Sequence, residues 1–322
     1  MITTFMRRNL RVIIPTAAFV ILFALYIHTH PRGLSIYVLT IWSNQTALLM
    51  FAALAQFFVV LVRGIDLSVG AMVALSNVVA SYVLDGQHVP VAFGIILVLG
   101  CGMLCGLVNG LFVAFGNIPT IIATLATAAI YSGIALWLRP TPGGAVNEEL
   151  SDALTYAMGP IPTSLMIILI IVAAGGLFMR RVTFGLSLYG LGSSEQSAQF
   201  TGIDIRWTRV KAHILSGLCA GFGGFYVAMV TLTGDAGIAP TYTLNSIAAI
   251  VLGGTSLAGG TGTIFGVAIG TMLLKTIASL MFFSGLSPLA QPFFEGLILA
   301  VAIAAGSLGI LRVRNKLKLF SQ

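Results

Sequence analysis

Apolar residues fill this chain in long blocks, and polar residues are confined to the short breaks between them. The blocks 12–27, 41–62, 71–84, 91–115, 120–138, 164–179, 212–232, 246–262, 264–283 and 293–311 carry almost no charge. A helix rises about 1.5 Å per residue and the hydrocarbon core of a bilayer is about 30 Å thick, so roughly 20 apolar residues cross it. The expectation is an all-α polytopic membrane protein of about ten transmembrane helices, in a single transmembrane domain over residues 1–322. Block 12–27 is short and spans only if Arg11 snorkels. Block 246–262 is short and interrupted by Gly253-Gly254-Thr255-Ser256-Leu257-Ala258-Gly259-Gly260, the pattern of a broken or re-entrant span.

The breaks carry chemistry of their own. Block 41–62 ends at Arg63-Gly64-Ile65-Asp66-Leu67-Ser68-Val69-Gly70, where a carboxylate stands between glycines in apolar sequence. It needs solvent or backbone donors, because a buried unpaired charge is very costly. Gly64, Asp66 and Gly70, with Gly253, Gly254, Gly259 and Gly260, are assigned to turns in which the backbone bends or packs closely. Segment 61–70 aligns on 251–260, pairing Gly64 with Gly254, Leu67 with Leu257 and Gly70 with Gly260, a weak parallel repeat. Gly102, Gly106 and Gly110 recur every four residues, as do Gly217 and Gly221. Such ridges let helices approach closely in lipid, where no hydrophobic force drives them together.

Composition narrows the class. With 58% hydrophobic and 8% charged residues and a mean hydropathy of +1.03, the chain lies outside the soluble range, in which about a quarter of residues are charged. The net charge of +7 does not form a nucleic-acid stripe, since the basic residues sit at block ends. All Lys and Arg except Arg32, Arg139 and Lys275 fall on one side of a ten-span arrangement, and Asp85, Glu148, Glu149, Asp152, Asp235 and Glu295 fall on the other. Both termini are therefore expected in the cytoplasm, with 180–211 as a cytoplasmic loop and 139–163 and 233–245 as outer loops. No small-residue cleavage site precedes Pro31, so the first block is expected to remain as a span. His28 and His30 lack a Cys or carboxylate neighbour and read as a loop end, not a metal site. Cys101, Cys105 and Cys219 read as reduced packing residues.

Enzyme chemistry finds no reactive group here. The chain lacks a Gly-x-x-x-x-Gly-Lys-Ser/Thr loop, a His-Glu-x-x-His pair and a Gly-x-Ser-x-Gly elbow. An ion-coupled secondary transporter is the alternative, but only Lys275 lies well inside an apolar block. The break 180–211 is the most polar. Arg180, Arg181, Arg206, Arg209 and Lys211 bracket a run from Gly192 to Gly202 in which Ser193 or Ser194 caps a short helix, Glu195 occupies its first turn and Gly202 stops it.

Gly190-Leu191-Gly192, Glu195 to Ala198 and Thr201-Gly202-Ile203 resemble the cytoplasmic coupling segment of ribose-type permeases of bacterial ATP-binding-cassette importers. Gly-Ile-Asp-Leu-Ser-Val-Gly at 64–70 and Leu-Gly-Gly-Thr-Ser-Leu-Ala-Gly-Gly at 252–260 resemble the two signatures of the same family, which usually carries a second glycine where Arg63 stands. The resemblance implies a sugar-import permease of the bacterial inner membrane, with Ser194, Glu195, Ala198 and Gly202 coupling to a separate ATPase subunit. It implies no cofactor in this chain, ATP and Mg being bound by that ATPase. It further implies a second permease subunit, the same or homologous, and a periplasmic sugar-binding protein docking on Glu148, Glu149, Asp152 and Asp235 if these do more than solvate the outer face. Asn44, Gln45, Gln56, Asn77, Asn109 and Thr124 are candidates for lining the translocation path, the other reading of each being an interhelical hydrogen bond. Lys275 is a path candidate too, or else reaches a carbonyl or acidic group of a neighbouring helix.

Overall fold

The computed structural model describes residues 2–86, 89–286, 290, 293–294, 296–297 and 300, with side chains from residue 12 onward. The expected tenth span and the basic tail Arg312, Arg314, Lys316 and Lys318 lie, but for a few positions near 293–300, outside the described residues. The helices are α1 (Ile2–Thr29), α2 (Ile36–Leu61), α3 (Val69–Val83), α4 (Val91–Ala114), α5 (Thr120–Leu138), α6 (Glu148–Thr155), α7 (Thr163–Arg181), α8 (Thr183–Ser193), α9 (Glu195–Phe200), α10 (Ile205–Thr231), α11 (Ala239–Leu252) and α12 (Ile264–Phe283). A two-stranded hairpin, β1 (Ala157–Met158) with β2 (Ile161–Pro162), follows α6. Seven of the described helices are long and apolar enough to cross a bilayer, whereas α3 and α11, with 15 and 14 residues, are shorter.

Several expected boundaries move: α1 starts at Ile2 and not at 12, and α2 starts at Ile36 and not at 41, because Ser35 caps it with its side chain accepting from Val38 N. α10 begins at Ile205, ahead of the expected 212, because Asp204 caps it: Oδ1 accepts from Trp207 N at 3.0 Å. The expected outer loop 233–245 contains the first part of α11, and from Asp235 it runs along α3, with Asp235 N donating to Asn77 Oδ1 at 2.7 Å and the Ala239 carbonyl lying against Gly70. The expected broken span 246–262 is the end of α11 followed by irregular chain to 263.

Burial sorts the helices by layer. α2 is apolar all round and almost wholly buried from Thr46 onward, the signature of a helix at the centre of a bundle. α10 packs on α2, α3 and α4 to complete that centre. α4, α5 and α7 turn Ile96, Leu104, Ile122, Leu125, Leu169 and Ile170 outward, as lipid-facing helices do.

The two glycine ridges meet each other. A Cβ on Gly217 would overlap the Gly102 carbonyl, one on Gly102 would overlap the Gly217 carbonyl, and one on Gly106 would overlap the His213 carbonyl. α4 and α10 therefore cross backbone to backbone, a contact that only residues without side chains allow. One end of the bundle is closed by connections: Gly143 and Gly234 exchange backbone hydrogen bonds of 3.1 and 2.8 Å, Asn147 N donates to Leu84 O at 2.7 Å, and Ser151 Oγ to Met229 O at 2.6 Å. The opposite end gathers the ends of α2, α8 and α11 with the start of α10.

Gly217→Ala is expected to cost about 1–3 kcal/mol or more through overpacking against a carbonyl that cannot yield. Gly100→Ala and Gly133→Ala, where an added Cβ meets nothing within 4 Å, are expected to be neutral or stabilising. Thermal unfolding in detergent, read by fluorescence-detected chromatography, checks the contrast.

Candidate functional site

The break between α7 and α10 holds two helices, not the single short one expected. Val182 alone separates α7 from α8, its extended backbone (φ −90°, ψ 133°) capping both. α9 has the predicted boundaries. Ser194 is extended and its Oγ accepts from Ser197 N at 3.2 Å. At the far end Gly202 is left-handed (φ 79°), its N–H donates to Gln199 O at 3.0 Å, and Ile203 N donates to Ala198 O at 3.1 Å, the hydrogen-bond pattern of a glycine C-cap. Ala198 is buried beneath α9, and Glu195 in its first turn pairs with Arg209 at 2.8 Å. Gln196, Ser197, Gln199 and Phe200 face outward, Phe200 with 83% of its surface exposed.

α2 ends in the same capping pattern. Arg63 N donates to Val60 O and Gly64 N to Val59 O, both at 3.0 Å, with Arg63 as the left-handed residue (φ 66°). Glycine is usual at that place, and a residue with a Cβ costs about 1–2 kcal/mol there. Asp66, fully buried, finds its donors inside the chain: Oδ1 accepts from Ser68 N (2.9 Å) and Ser68 Oγ (2.6 Å), and Oδ2 from Ser216 Oγ (3.3 Å). Asn109 Nδ2 donates to Ser68 Oγ at 2.7 Å, and Tyr131 OH to Asn109 Oδ1 at 3.2 Å. Leu67 N donates to Thr124 Oγ1 at 3.0 Å. With its amide oriented to match donors and acceptors, Gln56 gives a hydrogen bond to Asp66 O (2.7 Å) and takes one from Asp66 N (3.2 Å). Gln56, Asn109 and Thr124 thus tie this turn to α2, α4 and α5.

α11 closes likewise. Gly254 N donates to Val251 O and Thr255 N to Ile250 O, both at 2.9 Å, with Gly254 left-handed (φ 84°). By this capping geometry Arg63 stands at the place of Gly254, one residue off the alignment expected; Gly202 after α9 and Gly285 after α12 close their helices in the same way, so the shared cap does not distinguish an internal repeat. The loops then diverge, 62–68 being short and 253–263 longer and rich in left-handed glycines, including Gly259 and Gly260.

The two turns and α8 meet. Gly260 N donates to Leu61 O at 3.0 Å, and a Cβ on Gly192 would overlap that same Leu61 carbonyl. Arg63 Nε donates to Gly192 O at 2.8 Å and its Nη2 to Ser193 O at 2.6 Å. Tyr189 OH donates to Gly262 O at 2.8 Å. Burial raises the Tyr189 phenol above its ordinary range, against a smaller opposite pull from Arg180, so it remains a donor at neutral pH. The arrangement holds no nucleophile or acid–base pair; it connects a surface helix to two bends in the bundle.

Residues 38–314 match the family described as the permease component of branched-chain amino acid transport systems. The chain belongs to this family of transport permeases. It is 31% identical over 294 residues to the ribose import permease of Haemophilus influenzae, covering 89% of this chain and 90% of the relative. It is 32% identical over 321 residues to the autoinducer 2 import system permease of Escherichia coli, covering 96% and 90%. It is 29% identical over 307 residues to the galactose/methyl galactoside import permease of Salmonella typhimurium, covering 89% and 91%. No solved structure matches the chain. The chain is a multi-pass inner-membrane permease of a bacterial importer and not an enzyme.

The remaining polar candidates of this permease lie away from the junction. Asn44 donates to Thr155 O at 2.9 Å and accepts from Tyr226 OH at 2.8 Å, and Asn77 donates to Thr233 O at 3.0 Å. Gln45 is exposed on α2, and Lys275 is half-buried on α12. The sequence reading did not anticipate Ser216, Tyr131 and Tyr189 as partners, because a hydroxyl in an apolar block gives no sign of which backbone it faces. Arg63 did carry a signal, a cation standing where a second glycine is usual.

Asp66→Ala strands the Ser68 and Ser216 hydroxyls and the Ser68 N–H, and is expected to lower stability by about 1–3 kcal/mol. Gly254→Val forces a β-branched residue to φ 84° and is expected to cut the yield of folded permease, with Gly254→Ala milder. Wild-type melting and yield in these variants would refute the account of the turns.

Proposed function

We propose that this permease is the transmembrane subunit of an ATP-binding-cassette importer that carries a monosaccharide or a related polyol. A separate cytoplasmic ATPase subunit binds ATP and Mg and drives the cycle, a periplasmic binding protein delivers the solute, and a second permease subunit, identical or homologous, completes the path. The observation that carries this reading is α9, a doubly capped helix with an exposed Phe200 that follows directly on the end of α8, where Gly192 and Ser193 touch both glycine turns. A rigid surface helix with an aromatic tip is a docking element, and its attachment to the turns offers a mechanical route into the bundle. The sugar-sized substrate is supported by relatives named for ribose and galactose import, at similar length and over nearly the whole chain.

The α9 end of the bundle is assigned to the cytoplasm, since Arg180, Arg181, Arg206, Arg209 and Lys211 cluster there. With both termini on that side, the count of spans is ten. α6 then lies outside, where its exposed Glu148, Glu149 and Asp152 suit a basic patch on the binding protein. Gln45 on α2 and Lys275 on α12 are among the residues assigned to the translocation path, as hydrogen-bonding groups for substrate hydroxyls.

In vesicles holding permease, ATPase and binding protein, uptake is expected to need ATP and the ATPase subunit and to survive an uncoupler. Uptake that persists without the ATPase, or collapses with the uncoupler, would favour an ion-coupled transporter. Glu195→Lys and Phe200→Asp are expected to leave the folded amount unchanged and to lower solute-stimulated ATP hydrolysis about tenfold, the effect of losing roughly 1.4 kcal/mol at an interface anchor. Lys275→Met keeps the side-chain length without the charge and is expected to reduce uptake in a fully assembled complex; normal uptake would remove Lys275 from the path.

A further inference from the structure

Arg63 is an outlier twice over. It is left-handed at a capping position whose counterpart on α11 is Gly254, and its guanidinium spends two of its donors on another helix. Those donors meet the Gly192 and Ser193 carbonyls, the last two of α8. The final carbonyls of a helix have no partner within it and carry its negative pole, so a planar cationic fork suits them both chemically and electrostatically. Space for the arginine stem comes from the second turn: Gly259 is left-handed (φ 85°), and a Cβ on it would come within 2.6 Å of Arg63 Cγ. The residue after Ser193 is Ser194, the cap of α9.

We infer that Arg63 is the positioning residue that couples α9 to the α2–α3 turn. The side chain starts at the cap of α2, passes over the second glycine turn and ends on the two carbonyls that precede α9. When α9 is displaced, the pull reaches α2 and α3 through this fork and through the Gly260–Leu61 hydrogen bond beside it. A glycine at 63 would relax the backbone yet remove the fork, which separates the positioning role from a folding role. The inference rests on the importer reading for what α9 docks against, but the fork itself can be tested without any partner.

The experiment uses the full-length permease with Arg63→Gly, which serves the left-handed backbone, and Arg63→Lys, which keeps the charge but cannot bridge two carbonyls in a plane. In the purified permease alone, hydrogen–deuterium exchange over 193–200 is expected to quicken roughly three- to tenfold in Arg63→Gly, as an exposed hydrogen-bonded fork is lost, and to a lesser extent in Arg63→Lys. In vesicles with ATPase and binding protein, the solute moved per ATP is expected to fall in the same order, with the assembled amount unchanged. Wild-type exchange in Arg63→Gly overturns the fork. Faster exchange with wild-type solute per ATP overturns its coupling role. Loss of assembled complex in both variants assigns Arg63 to folding and overturns the inference. If wild-type uptake proves independent of the ATPase, the importer reading fails while the exchange result still decides whether Arg63 holds α9.

Discussion

A peptide group that leaves a helix inside an apolar slab must find its hydrogen bonds within the protein, because lipid supplies none and each unmet group costs several kcal/mol. That constraint decides where this chain can bend. α2 and α11 both end in a left-handed residue whose cap returns two N–H groups to the last turn, and the chain then needs further partners until the next helix begins. On the α2 side Asp66, Gln56 and Thr124 supply them, so a carboxylate that looks out of place in the sequence is the acceptor around which the turn closes. Because Asp66 accepts from a backbone N–H and two hydroxyls, its burial is matched by donors and not by an opposite charge.

The same scarcity of driving force governs how the helices come together. Where α4 crosses α10 and where α12 meets α11, glycine brings carbonyls into direct contact with the facing backbone, at Gly102, Gly106, Gly217, Gly266 and Gly270. Gly192 extends this to the surface, since it lets the end of α8 rest on the Leu61 carbonyl. α9 thereby starts from a point fixed by backbone contact, and Ala198 and the Glu195–Arg209 pair hold the rest of it against α10. The half-buried surface pair adds little stability on its own, so orientation is its main contribution.

Features encoded by a single residue type were legible in the sequence. The caps of α9 at Ser194 and Gly202, the glycine ridges of α4 and α10, and a break after Leu252 all follow from what serine or glycine does locally. Features that depend on a partner were not. Residues 183–193, with three glycines and no clear cap, gave no helical signal, yet α8 forms because its glycines fit against Met179 and Leu61. Asn44, Gln56, Asn77, Asn109 and Thr124 looked alike as polar residues on apolar helices, and only their surroundings reveal that each is joined to backbone or side chains of another segment. The expected pairing of Gly64 with Gly254 does not hold in the caps, where Arg63 takes the left-handed place that Gly254 has after α11.

The two turns differ in what holds them. After α2 the loop is short, and its polar groups are tied by buried side chains from α2, α4, α5 and α10. After α11 the loop is longer, and Gly254, Gly259, Gly260 and Gly262 give it a backbone with little steric preference. The glycine-rich loop is nonetheless pinned, to the first turn by Gly260 N on Leu61 O at 3.0 Å and to α8 by Tyr189 OH on Gly262 O at 2.8 Å. The arginine belongs to the shorter turn, where its left-handed backbone is held by the surrounding hydrogen bonds.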